Sequence, residues 1–319
     1  MVLTSGNCGA IWFASALNLH PDIFAGCGID HPIESLFRYN LKKDGAALLQ
    51  ASTDRHFRFG AVREVLQPVL DAQGLQRTYP PRDYTNLPAY VFDELEELPG
   101  SGRHTALGSV HAFTAVQFAE EYARNPHILG NRRVTVTNMI RHPVSRTESF
   151  IRAFIDHHLG TYKDAIDGYI AQNLGECLRL ERTYGISMTE PRVRAALATY
   201  RIAKSVEWVA DELRRFGDMV ALKMEDLQTD GEYFASAVEV LTGGRIVPDA
   251  SYLAEVHSVD SLGVGRRHVF DGTRPPGPRD QWDAWSAWER YEFLGCCHRC
   301  GLIPLYEAHG YDFSFLSAA

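Results

Sequence analysis

The chain has 319 residues, with 32 basic and 40 acidic side chains and a net charge of −8. That length buries a large core, as one big α/β domain or two smaller ones. The acidic balance argues against nucleic acid or an anionic membrane as the main partner, while leaving room for a local basic pocket that takes a small anion.

Val2 and Leu3 suit a strand, Thr4-Ser5-Gly6-Asn7-Cys8-Gly9 is a run of small and turn-forming residues, and from Ala10 to Leu17 the pattern turns helical. This reads as strand, tight glycine-containing turn, helix. Two glycines let the backbone bring several N–H groups to one point, and the helix adds the free N–H groups and positive end of its first turn. Such a turn binds phosphate without any side chain. The residues suit an ordinary strand-to-helix turn equally well. The turn is not a Walker A sequence, because Gly6-x-x-Gly9 is not followed by Lys-Ser or Lys-Thr. No basic region precedes it, and Gly6, Asn7 and Gly9 interrupt any apolar stretch, so no signal peptide is expected. A strand that begins at residue 2 is abrupt, as if a segment preceded it.

His20-Pro21-Asp22-Ile23 closes the first helix, and Ile23 to Cys27 suits a second short strand. Pro32 to Tyr39 reads as a short helix, and Lys42 to Gln73 as two helices broken around Ser52-Thr53-Asp54. Arg77 to Pro88 reads as a surface loop and Glu94 to Gly102 as a solvated turn. Thr105 to Val110 suits a strand and Thr114 to Arg124 an amphipathic helix. Arg133 to Ile140 is a mostly apolar, β-branched run of the kind buried on both faces of a sheet. A helix follows, with Pro143 in its first turn and Val144, Phe150, Ile151 and Phe154 on its apolar face. Helices dominate from Tyr162 to Phe216, Met219 to Met224 is a third buried strand, and Gly263 to Asp280 is a loop rich in Gly, Arg and Pro. Trp282 to Cys300 is helical in pattern. Strands alternating with helices predict a short, largely parallel sheet covered by helices, in one domain spanning 1–319. No apolar run reaches transmembrane length. The six cysteines form no spaced framework, which favours a reducing, cytoplasmic setting.

Four of these pieces together resemble a sulfotransferase that uses 3′-phosphoadenosine 5′-phosphosulfate (PAPS). Asn7-Cys8-Gly9-Ala10-Ile11-Trp12 stands where that family has its phosphosulfate loop. Leu17-Asn18-Leu19-His20-Pro21-Asp22-Ile23 is similar to the end of the helix after that loop. Arg141-His142-Pro143-Val144-Ser145-Arg146, with Ser149 eight positions after Arg141, is similar to the 3′-phosphate motif. Lys223-Met224-Glu225-Asp226-Leu227 resembles a strand end of the family, and Trp282 and Gly310-Tyr311-Asp312 also fit. The resemblance implies a P-loop-like α/β fold and transfer of a sulfuryl group from PAPS, as co-substrate, to a hydroxyl of a small molecule or glycan. It implies that Gly6 to Ile11 hold the 5′-phosphate, Arg141 and Ser149 the 3′-phosphate, Trp12 the adenine, and Arg266 and Arg267, with Arg274, further phosphate contacts. An Arg in a structural ion pair, a Trp in the core and a solvated basic loop are the ordinary alternatives for these residues.

The loop departs from the family. Asn7 stands where Lys or Arg is expected, and Cys8, Ala10 and Ile11 replace hydroxyl residues. A cation there would stabilise the charge growing on the bridging oxygen. Lys42, Lys43 or Arg38 is the candidate substitute. For the base that takes the acceptor proton, His111 ranks first, then Asp30, then Glu34. Glu225-Asp226 reads as structural, capping or pairing near the next helix, and His157-His158 as surface. Cys296, Cys297, His298 and Cys300 lack a second ligand pair, so they read as a helix end packed in the core and no metal is expected. A non-catalytic relative that binds 3′,5′-ADP is the main alternative. A P-loop phosphotransferase is the lesser one, since its Lys and Mg²⁺-ligand hydroxyl are missing.

Overall fold

The computed structural model describes residues 2–4, 8–17, 19–28, 106–112, 134–155, 159–202, 205–215, 220–258 and 276–318. In chain order these contain β1 (Val2–Thr4), α1 (Ala10–Leu17), β2 (Ile23–Gly28), β3 (Ala106–Ala112), β4 (Thr137–Ile140), α2 (Pro143–Ala153), α3 (Leu159–Gln172), α4 (Leu174–Tyr184), α5 (Pro191–Leu197), α6 (Ser205–Arg215), β5 (Ala221–Lys223), α7 (Met224–Thr229), α8 (Gly231–Thr242), α9 (Ala250–Ser258), α10 (Pro278–Ala284), α11 (Ala287–Cys300) and α12 (Leu302–Glu307). No helix among the described residues is long and apolar enough to cross a membrane. The chain divides into two compact units, Met1–Ile140 with Asp218–Thr273, and Arg141–Gly217 with Arg274–Ala319.

The first unit is an α/β layer. Its sheet has the order β2-β3-β1-β4-β5, and all four pairings are parallel. Val2 and Leu3 are 2% and 0% exposed, as expected for a strand covered on both faces. Val2, Val110, Met139 and Leu222 join the core cluster with Phe13, Ala14 and Leu17 of α1 and Phe234 and Val238 of α8. The Tyr252 hydroxyl donates to the Ala16 carbonyl at 3.0 Å and ties α9 to α1.

The strands are shorter than the apolar runs that announce them. Residues 134–136 are not strand, although Arg133 to Ile140 reads as one run. β1 offers only Val2–Thr4 for pairing and β5 only Ala221–Lys223, so β4 is limited to Thr137–Ile140. Met224 opens α7 instead of ending β5, with Glu225 and Asp226 favouring the positive end of that helix. At the far end of the loop read as Gly263 to Asp280, Pro278–Asp280 already belong to α10, where Pro278 suits the first helical turn. The helices read over Pro32 to Tyr39, Lys42 to Gln73 and Thr114 to Arg124, and the segments Arg77 to Pro88 and Glu94 to Gly102, lie outside the described residues.

The second unit is helical and built around α2. The sequence predicts an amphipathic helix, but Ser145, Arg146, Thr147 and Glu148 are buried along with Val144, Phe150 and Ile151. α2 is surrounded because α5, α6 and α10 all pack on it. Of these polar side chains Glu148 has the most partners, while among the described residues the Thr147 hydroxyl is buried without a hydrogen bond. The Glu148 carboxylate accepts from Arg192 at 3.1 and 2.9 Å, from the Trp285 indole at 2.8 Å and from Arg152 at 3.0 Å. Arg192 also reaches Glu289 at 3.0 Å, and Glu289 caps α11 by accepting from the Ser286 amide and hydroxyl at 2.9 and 2.7 Å.

Gly9 gives the first prediction. Its φ is +84°, and a Cβ added there would lie 2.2 Å from Cε and 2.6 Å from Sδ of Met224, which is 3% exposed. Gly9→Ala is expected to cost about 1–3 kcal/mol in backbone strain and about 1–3 kcal/mol in overpacking. In urea denaturation, adding Met224→Ala should recover the packing part, so the double variant loses less than the sum of the single ones.

Candidate functional site

Because all pairings are parallel, the C-terminal ends of the five strands share one edge of the first unit. β1 leads to β2 on one side, and β4 leads to β5 on the other. The topological switch therefore falls between β1 and β4, where open α/β sheets form their ligand crevice. Thr4 of β1 is level with Met139 of β4, and Leu3 with His111 of β3. Gly28, the last residue of β2, is also level with His111.

Cys8 and Gly9 lie directly before α1. The Phe13 amide donates to the Gly9 carbonyl at 2.9 Å, so Gly9 starts α1. Ile11 lies in the first turn of α1. The side chains of Cys8 and Ala10 are 0% and 8% exposed and belong to the core cluster, so they stabilise the turn from within. Any anion at this helix start would meet backbone N–H groups. Trp12 is half-buried, packed against Phe13 at 6.5 Å and edge-on to Phe234 at 6.2 Å between ring centroids. One part of the indole thus does core work, as the alternative reading of that residue has it.

His111 is the next-to-last residue of β3. Arg141 is half-buried and directly follows β4. Ser149, also half-buried, lies in the second turn of α2. Glu225 and Asp226 lie in the first turn of α7, where Asp226 Oδ2 pairs with Lys223 Nζ at 2.5 Å, the structural pairing expected for that dipeptide. Cys296 and Cys297 are 2% and 1% exposed inside α11, and burial pushes the Cys297 thiol up, with Cys300 and Cys296 adding to it. Among the described residues no group of three or more His, Cys, Asp or Glu is arranged to hold a metal ion. Gly6, Asn7, Asp30, Glu34, Arg38, Lys42, Lys43, His157, His158, Arg266, Arg267 and Arg274 lie outside the described residues.

Sequence reasoning passed over His142. It is 3% exposed and sits at the N-cap of α2, where Nδ1 accepts from the Val144 amide at 3.2 Å. Nε2 must then carry the proton, and it donates to the Asp312 carbonyl at 3.3 Å. The ring is flanked by Tyr311, Phe313 and Phe315 at 5.5, 4.9 and 5.6 Å. A His immediately before a Pro that opens a helix was the available signal, since its side chain can cap the free N–H groups there.

Comparison with protein-family models, with curated proteins and with solved structures finds no match to this chain.

His142 makes stability depend on pH. Burial pushes its pKa down to about 4, helped by the charge of Arg141 and opposed by the carbonyl and carboxylate of Asp312. The unfolded side chain titrates near 6.5. Between these values the unfolded chain binds more protons, so the contribution of His142 is complete above about 6.5 and lost as pH falls through about 4. The full difference is about 3 kcal/mol. His142→Asn keeps an N-cap acceptor without titrating. Unfolding free energies from urea titration at pH 7 and pH 4.5 should differ by about 2–3 kcal/mol more for the wild type than for this variant.

Proposed function

We propose that the chain is a sulfotransferase that moves a sulfuryl group from PAPS to the hydroxyl of a small molecule or glycan. One observation carries this reading. Gly9 follows β1 and Arg141 follows β4, the two strands that flank the switch point, and His111 lies near the end of β3, the other neighbour of β1, so all three belong to the C-terminal edge of a parallel sheet. Those are the positions from which the resemblance draws its phosphate loop, its base and its 3′-phosphate arginine.

In this mechanism the acceptor oxygen attacks sulfur while His111, or Asp30 in its place, takes the hydroxyl proton. The bond from sulfur to the bridging oxygen breaks, and 3′,5′-ADP leaves with the electron pair. The N–H groups at the start of α1 stabilise the negative charge that grows on that side. The resemblance assigns the 3′-phosphate to Arg141, whose planar fork suits it, and to the Ser149 hydroxyl. Arg266 and Arg267 extend the basic contacts, and the half-buried Trp12 offers its remaining face to adenine. The Asn7 substitution favours a second reading, a relative that binds 3′,5′-ADP without turning PAPS over, because a neutral donor is roughly half as strong as a charged one.

Binding and transfer each test the proposal. In thermal shift, 3′,5′-ADP should raise the melting temperature more than ATP or ADP at equal concentration. Arg141→Ala should lose affinity for 3′,5′-ADP by the weight of a charged hydrogen bond, about 1.5–3 kcal/mol. Equal affinity would remove Arg141 from the site. For catalysis, His111→Ala should slow transfer by roughly 10²–10⁴-fold with donor affinity unchanged. An unaltered rate would transfer the role to Asp30.

A further inference from the structure

We propose that the C-terminal segment 311–316 is an acid-released clasp, held on the start of α2 by the neutral ring of His142 and let go, with the rest of the unit still folded, when that ring takes up a proton. The clasp lies within the second unit and does not depend on the sulfotransferase reading.

The ring of His142 serves two parts of the chain at once. Its Nδ1 caps α2 by accepting from the Val144 amide, and its Nε2 donates to the Asp312 carbonyl, 170 positions further on. Phe313 and Phe315 lie over it with their planes tilted by 32°, and Tyr311 stands edge-on. The segment makes its own turn. Asp312 Oδ1 accepts from the Ser314 amide at 2.8 Å, and the Leu316 amide donates to the Phe313 carbonyl at 2.9 Å. Such a piece can open as a unit. Phe313, Phe315 and Leu316 are 6%, 9% and 6% exposed, and a chain end that lets go regains the conformational freedom that offsets their burial. The hold of His142 is then what tips the balance.

Protonation affects the two hydrogen bonds differently. Nε2 donates in either state, but a protonated Nδ1 presents a donor to the Val144 amide, which is itself a donor. The new charge also sits at the positive end of α2. A buried imidazolium with one N–H unpaired has to reach water, and the rings of the segment stand over it. Among the described residues the charged groups that face the ring are Arg141, just before α2, and Asp312 of the segment. Arg146, one turn into α2, lies over Phe150 at 4.9 Å, and Arg279 of α10 over Phe315 at 5.6 Å. Tyr306 of α12 packs on Tyr311 and Phe313 at 5.2 and 6.3 Å, and a phenol does not titrate in acid. The amide and hydroxyl of Ser314 hold the Asp312 carboxyl below its ordinary value, with help from Arg279 and His142, so Asp312 keeps its charge in mild acid. Burial holds the His142 pKa down to about 4 in the clasped form, while an opened segment returns it to about 6.5. The open form binds more protons between these values, so opening grows as pH falls from about 6.5 and levels off below about 4. His309, just after α12, is also lowered, by burial alone, and serves as a control.

The test is hydrogen exchange of the full chain, read at the hydrogen-bonded amides of Tyr311 and Leu316 over a series of low urea concentrations. At pH 7 both amides should exchange with a weaker urea dependence than the amides of α11, because a local opening exposes less surface than unfolding. At pH 4.5 their opening constant, corrected for intrinsic exchange, should be about 50-fold larger. His142→Asn cannot titrate and should show no such rise, and His142→Gln replaces it if that variant does not fold. His309→Asn should keep the rise. A urea dependence equal to that of α11 would mean that the segment leaves only when the unit unfolds, and overturns the proposal. So does a wild-type opening constant that ignores pH, a rise that persists in the non-titrating His142 variant, or one that disappears in His309→Asn.

Discussion

Everything proposed for the first unit depends on one constraint, the parallel pairing of β1 on both of its edges. β1 is three residues long, yet it is hydrogen-bonded to β3 on one side and β4 on the other. Val2 joins the core cluster and Leu3 is fully buried outside it, so a one-residue slip would exchange which face each side chain fills. With the register held, the ends of all five strands stay at one edge and the turn that follows β1 is held there too. Gly9 completes the constraint, because only a residue without a Cβ fits both its positive φ and the pressure of Met224.

The second unit adds buried ion pairs to its apolar core. Burial alone would push the Glu148 carboxyl up. The hydrogen bonds and charge of Arg192, with the Trp285 indole and Arg152, outweigh burial and hold it below the usual carboxylate value. One side chain thereby links α2 to α5, α10 and, through Glu289, to α11. Arg201 and the buried Glu292 repeat the arrangement at 2.6 Å. Such pairs are weak sources of net stability but costly to break, since removing one partner strands the other without water. The result is a helix, α2, whose sequence is polar on the side that the unit buries.

How much was legible before the structure depends on the kind of signal each residue carried. Strand, turn and helix at Val2 to Leu17 were readable because glycines and small residues punctuate the chain locally. Ile23–Gly28 and Ala106–Ala112 were readable as strands within one or two residues. The buried side of α2 was misread in part, because Arg146 and Glu148 look solvent-facing by pattern and only their surroundings bury them. α8 and α9 passed without notice, although Asp230 caps α8 at 2.9 and 3.0 Å in a way that an Asp before a helix commonly does. His142 was passed over as a helix cap because it stood inside a motif already assigned to its neighbours.

By itself, then, the sequence determined the local grammar of this protein: which segments alternate and where the chain must turn. Those features follow from side-chain shape, glycine and periodicity over a few residues. The strand order β2-β3-β1-β4-β5, and with it the switch point between β1 and β4, was decided only in three dimensions. So were the contact of Met224 with Gly9 and the pairing of the buried Glu148 with Arg192. Each of these joins residues widely separated in sequence, and no local propensity encodes which distant partner a strand edge, a methionine or a buried carboxylate will meet.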